Sequence, residues 1–194
     1  MHVEVPITIV KVGGSLYDLP DLGPRLHRWL DDKDLSHVVL VPGGGSLVEA
    51  IRTLDRCHQL GEGTCHLLAL QAMRLAALFL VQIVPGGAVL KDLSACTAMW
   101  KEGKLPVLDA WAFALTDEGN PGCLPHTWDV TSDSIAARLA VVMGAARLIL
   151  LKSTALPAGI SWQEAAQRGF VDRYFATALQ DRAIDMQVIN FRDI

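Results

Sequence analysis

Val10-Lys11-Val12-Gly13-Gly14-Ser15 and Val41-Pro42-Gly43-Gly44-Gly45-Ser46 are the two stretches on which the fold of this chain turns. Each sets glycines directly behind an apolar run, Val3 to Val12 in the first case and His37 to Val41 in the second. An apolar, β-branched run that stops at glycine reads as a buried strand entering a tight turn. In a parallel sheet the carboxyl ends of the strands open onto the ligand crevice. Glycines at that edge let backbone N–H groups approach an anion, and the helix that follows adds the partial positive charge of its N-terminus. Lys11, at the end of the first strand, can hold a phosphate there as a point charge. Two ordinary strand-to-helix turns would also use glycine for its backbone freedom. Two such loops beside one edge lysine favour the phosphate reading.

Working outward, the spacing of apolar residues predicts helices over Leu22 to Leu30, Leu47 to Cys57, Cys65 to Val84 and Ser94 to Trp100. Further helices are expected from Thr131-Ser132-Asp133 through Met143, over Trp162 to Gln167 and over Val171 to Arg182. Ser132 or Asp133 is the expected cap of the first of these. Leu105 to Leu108, Arg147 to Leu151 and Met186 to Asn190 read as strands, and Thr116 to Pro125 as a loop rich in turn residues. Strands alternating with helices predict an α/β three-layer sandwich with a mostly parallel central sheet. Neither a fixed-period repeat nor a linker interrupts residues 1–194, so a single domain is expected.

The chain has 194 residues, 51% of them hydrophobic and 20% charged, with a mean hydropathy of +0.31, and this composition excludes a disordered chain. A net charge of −4 offers no basic excess for a phosphate backbone, so no nucleic-acid partner is expected. Cys57, Cys65, Cys96 and Cys123 form no C-x-x-C pair. They read as reduced thiols of a cytoplasmic protein, and no metal site is predicted. The N-terminus has no charged segment followed by a long apolar one, so no signal peptide is expected. Gln71, Arg74 and Gln82 interrupt the apolar stretch Leu67 to Val84, which argues for a core helix and against a membrane span.

A Walker A string is absent, and Gly43-Gly44-Gly45-Ser46-Leu47-Val48 lacks the third glycine of a dinucleotide fingerprint. Hydroxyl and carboxylate side chains crowd the run Pro125-His126-Thr127-Trp128-Asp129-Val130-Thr131-Ser132-Asp133-Ser134. Capping explains one of them and leaves the rest for substrate. Asp133 is placed to orient a lysine. His126 alone is weak, and Trp128 reads as core packing ahead of a substrate wall. Lys152 ends the apolar strand Arg147 to Leu151 and faces the same crevice as Lys11, where packing gives no reason for an ammonium group.

The strand-KVGGS and strand-PGGGS loops, with the T-S-D-S helix start, resemble the amino acid kinase family. The run HTWDVTSDSIAARLA is most similar to the branch that phosphorylates [5-(aminomethyl)furan-3-yl]methyl phosphate in methanofuran biosynthesis. The resemblance implies a Mg-ATP-dependent kinase acting on a small phosphate or carboxylate acceptor. Lys11 would contact the transferred phosphoryl group, and Gly13, Gly14 and Ser15 the nucleotide phosphates. Gly43, Gly44, Gly45, His126, Thr131 and Ser132 would face the acceptor. Asp133 would organise the catalytic lysines; the family's second lysine lies further on, and Lys152 is the candidate here to supply its charge by a different route. A homo-oligomer is expected, with the apolar helix from Cys65 to Val84 as its interface.

Two departures qualify this picture. Where the family carries a T-D-V-D-G type loop, this chain reads Leu151-Lys152-Ser153-Thr154-Ala155-Leu156-Pro157, and no lysine follows Lys152. The resemblance therefore implies a shortened C-terminal nucleotide-binding half. The alternative is a catalytically degenerate relative that binds a small anionic ligand or a partner in the same pathway.

Overall fold

In the computed structural model, residues 5–180 and 182–194 are described. Six strands form one sheet: β1 (Thr8–Val12), β2 (Val38–Pro42), β3 (Gly87–Leu90), β4 (Leu105–Leu108), β5 (Arg147–Lys152) and β6 (Asp185–Asn190). Their order is β3-β4-β2-β1-β5-β6, and every pairing among the described residues is parallel. The helices are α1 (Leu22–Asp32), α2 (Gly45–His58), α3 (Glu62–Ile83), α4 (Cys96–Lys101), α5 (Ala110–Asp117), α6 (Ser132–Val142), α7 (Trp162–Gln167) and α8 (Phe175–Ala178).

Alternation along the strands builds the three layers. Ile9, Val39, Val41, Leu148 and Leu150 point to one face, where α5, α6, α8 and the first half of α3 supply Phe113, Ile135, Leu139, Phe175, Leu70 and Met73. Val10, Val12, Leu40, Ile149 and Leu151 point to the other, against Leu22, Leu26 and Trp29 of α1 and Leu80 of α3. Because both faces are covered, the strands read as unbroken apolar runs. Helix α3 is long and apolar enough to cross a membrane by length and composition. In the fold its Leu70, Met73, Ala76, Ala77 and Leu80 are buried in the protein core.

Several elements differ from expectation. The first strand starts at Thr8, because Pro6 has no N–H to give to a ladder; Val3, where it was expected to begin, lies outside the described residues. β3 is a strand that the apolar pattern did not single out. Helix α5 precedes the expected loop and takes in Thr116 and Asp117; the Asp109 carboxylate caps it, accepting from Ala112 N at 3.1 Å. The helix expected over Val171 to Arg182 contracts to Phe175–Ala178. Asp172, near its expected start, is captured by the N-terminus of α6, as described below, and Asp181 lies outside the described residues.

Candidate active site

β1 and β5 are neighbours, with Lys11 in register with Leu150. Lys11 follows Ile9 by two residues and Lys152 follows Leu150 by two, so both lysines turn to the face covered by α6. There they meet Asp133, in the first turn of α6. Lys11 Nζ lies 2.9 Å from Asp133 Oδ1, an ionic contact without an aligned hydrogen bond. Lys152 Nζ donates to Oδ2 at 2.6 Å. Lys11 and Asp133 are only 5% and 4% exposed.

Among the described residues, two ammonium groups against one carboxylate leave an excess of positive charge in a site of low solvent access. Burying such a charge is costly unless an anion compensates it. Burial, and then the charge of Lys11, pull the pKa of Lys152 down to about 8. Burial works against ionisation of Asp133, yet the two lysines override it and hold the carboxyl below the usual carboxylate range.

Asp133 is fixed by a residue that sequence reasoning missed. Asp172 Oδ2 accepts from Thr131 N at 2.9 Å, Thr131 Oγ1 at 2.7 Å and Ser134 N at 3.0 Å. Its Oδ1 accepts from Ser134 Oγ and, at 3.1 Å, from Tyr174 N. A carboxylate on the first turn of a helix satisfies its orphan N–H groups and complements the helix dipole. Ser132 or Asp133 was the expected cap. Thr131 is the cap instead, its Oγ1 accepting from Asp133 N at 3.4 Å; Ser132 and Asp133 already lie within the helix, and the Asp133 carboxylate turns to the two lysines.

The two glycine loops lie backbone against backbone. A Cβ on Gly14 would stand 2.2 Å from Gly45 N, and one on Gly43 would stand 2.3 Å from Gly14 N. Gly45 opens α2 with φ of 53°. No side chain fits between these strands of backbone. Tyr17 Oη donates to Gly43 O at 2.7 Å and so ties one loop to the other. Gly13 N donates to Leu151 O at 2.9 Å, which brings the first loop beside Lys152. Ser15 Oγ donates to Ser153 Oγ at 3.0 Å.

A cavity of about 210 Å³ opens beside this centre. Gly44, Gly45, Thr131 and Ser132 line its inner end, where α2 and α6 both begin, and Arg52 and Trp128 line its outer part. The N-terminus of α2, which carries no side-chain cap, favours an anion there, whereas that of α6 is already taken by the Asp172 carboxylate. Trp128, expected in the core, is instead a cavity wall. Gly13, Gly14, Ser15 and Gly43 stand outside the cavity lining. His126 does too: it stacks on His66 with ring centroids 4.9 Å apart, and its Nε2 lies 3.1 Å from Glu118 Oε2. It is His66 that lines the cavity. Burial first, and His126 second, hold the His66 imidazole below its ordinary pKa.

A parallel sheet with glycine loops and paired lysines at its carboxyl edge is the architecture of a small-molecule kinase fold. The chain belongs to the amino acid kinase family, whose model matches residues 6–155. It is 27% identical over 145 residues to a [5-(aminomethyl)furan-3-yl]methyl phosphate kinase of Methanocaldococcus jannaschii. That match takes in 73% of this chain and spans 63% of the relative's length. Among solved structures, uridylate kinase from Archaeoglobus fulgidus superposes with a TM-score of 0.65 at 20% identity, covering 94% of this chain and 90% of that one. An isopentenyl phosphate kinase superposes with a TM-score of 0.63 at 12% identity, covering 95% and 91%. These two likenesses concern the fold alone.

Proposed function

We propose that this chain is a cytoplasmic, ATP-dependent kinase that transfers a phosphoryl group to a small phosphate or carboxylate acceptor. The acceptor we put first is [5-(aminomethyl)furan-3-yl]methyl phosphate, the substrate named for the relative from Methanocaldococcus jannaschii. The observation that carries this reading is the buried Lys11–Asp133–Lys152 cluster, with its excess positive charge, between the glycine loops and the cavity.

Phosphoryl transfer asks little covalent chemistry of a protein and depends on positioning and charge stabilisation. The acceptor phosphate would lie at the N-terminus of α2, against Gly44, Gly45 and Ser132. Lys11 would meet the phosphoryl group in flight. Lys152 would neutralise the nucleotide phosphates beside Gly13, Gly14 and Ser15. Asp133 keeps both ammonium groups aimed at the same point and takes no proton. Among the described residues no group of three or more His, Cys, Asp or Glu side chains could hold a metal ion. Magnesium would therefore be held chiefly by the phosphates it accompanies, where it screens their charge.

One observation favours the second reading, a degenerate relative that only binds. The segment Ser153-Thr154-Ala155-Leu156-Pro157 carries no carboxylate. Titration with Mg-ATP and Mg-ADP, followed by thermal unfolding, separates the two. A ligand at a hundred times its dissociation constant stabilises by about 2.7 kcal/mol. A saturable shift, with phosphorylated acceptor formed by wild type and lost in Lys11→Ala, is the expected result. Absence of a shift up to millimolar nucleotide would leave only the binding reading.

We also propose a homo-oligomer built on α3. Leu75 and Leu78 of that helix are 54% and 47% exposed, and Leu67, Leu68 and Phe79 are exposed with them. A patch of this kind is more than the scattered exposure ordinary for a monomer.

A further inference from the structure

The segment behind β6 brings a third cation to the sheet edge that holds Lys11 and Lys152. Asn190, the last residue of β6, is in register with Lys152 of β5. Phe191 follows and fixes the path of the chain. It is fully buried, its ring meets Trp29 edge to face at 5.8 Å between centroids, and its N–H donates to Lys152 O at 2.8 Å. That anchor places Arg192. Its Nη2 donates to Ser15 O at 2.8 Å and to the two Asp18 carboxylate oxygens at 2.7 and 2.9 Å. β5 lies between β1 and β6, so the guanidinium reaches past the end of β5 to the loop behind β1. The hydroxyls of Ser15 and Ser153, bonded to each other, tie the same loop to the end of β5.

These contacts use one nitrogen of three. Nη2 shares two hydrogens among three oxygens, while the N–H groups of Nε and Nη1 have no hydrogen-bond partner among the described residues. The Asp18 ion pair is an exposed one, with side chains 35% and 66% accessible, and pairs of that kind are weak. A polyphosphate offers a guanidinium more than Asp18 does: several oxygens, more than one negative charge, and a geometry that suits its planar array of donors. Among the described residues Lys11, Lys152 and Arg192 meet only Asp133 and Asp18, so the edge as a whole stays positive. No lysine follows Lys152 in the chain, and Arg192 is the cation that the closing strand delivers to this edge.

We propose that Arg192 contacts the phosphates of the bound nucleotide, exchanging Asp18 for them, and so supplies charge that no later lysine brings. The inference rests on the kinase reading for the ligand being a nucleotide.

Calorimetric binding of tripolyphosphate and of ATP, each with magnesium, to the full chain tests it. Arg192→Ala should weaken both by about tenfold, the worth of a charge-assisted hydrogen bond, and Arg192→Lys should recover part of that loss. Asp18→Asn should tighten both by about threefold, because it frees the guanidinium. A purely bracing role for Arg192 gives the opposite sign: Asp18→Asn and Arg192→Ala break the same ion pair, so both would weaken binding. Weaker or unchanged binding in Asp18→Asn would therefore overturn the inference. So would affinities unchanged in Arg192→Ala, or a wild type that binds neither probe. If Arg192→Ala does not fold, the direction of change in Asp18→Asn decides. The kinase reading fails separately: a wild type that binds tripolyphosphate and not ATP removes the nucleotide and leaves the polyphosphate contact at Arg192 standing.

Discussion

Lys152 is where charge, burial and chemistry conflict most openly. With a pKa near 8, it loses its proton in the folded chain well before the ordinary lysine value of 10.5 is reached. Between those two pH values the unfolded chain binds the extra proton, so stability from this group rises across the window and is lowest below pH 8. Lys152→Met is therefore expected to raise stability at pH 7 by about 1 kcal/mol, or roughly 2–4 °C in melting temperature, while activity falls. Wild-type kcat/KM for ATP should decline above pH 8, and in Lys152→Arg that decline should move to above about pH 10. A pH profile unchanged by the arginine would remove Lys152 from the nucleotide contacts. Lys11, Asp133 and Lys152 were legible because each is a charge at the edge of an apolar run. Asp172 was not: an isolated carboxylate 39 residues beyond Asp133 carries no local sign that it will close on the first turn of α6.

At the scale of elements, the start of α6 depends on a segment far along the chain. Asp172→Ala removes an acceptor for both backbone and hydroxyl donors at the first turn of α6. It should destabilise the fold by about 2 kcal/mol in urea unfolding. Because it also frees the turn that carries Asp133, it should lower kcat more than it raises the KM for the acceptor. Asp172→Asn keeps one acceptor oxygen and should recover part of both losses. Equal activity in the alanine variant would separate the cap from the site. The same interaction explains a failure of periodicity: Val171 to Tyr174 has the composition of a helix but is held as a turn around Asp172. β3 escaped notice for a different reason. Four residues that begin with glycine give too little alternation to distinguish a strand from the end of α3. Pattern served best where runs were long, as in α3 and in β5.

For the molecule as a whole, the exposed apolar face of α3 makes the clearest statement. A chain carrying Leu75→Glu and Leu78→Glu should run as a monomer by light scattering, with the wild type as a larger assembly. A wild-type monomer would leave that face without the proposed partner. The α/β class and the site's position at the carboxyl edge followed from two glycine loops behind apolar runs. The strand order did not, since nothing in the chain's local chemistry says that β1 will sit between β2 and β5.

That central place of β1 bears on how the protein is made. Its neighbour β5 emerges from the ribosome more than 130 residues later, so β1 waits with one side unpaired while that length of chain is synthesised. Lys11, Asp133 and Lys152 come together only once β5 has docked. A growing chain cannot assemble this cluster before Lys152 has been made. Truncated products then carry an open sheet edge, the feature most prone to aggregation and to capture by chaperones.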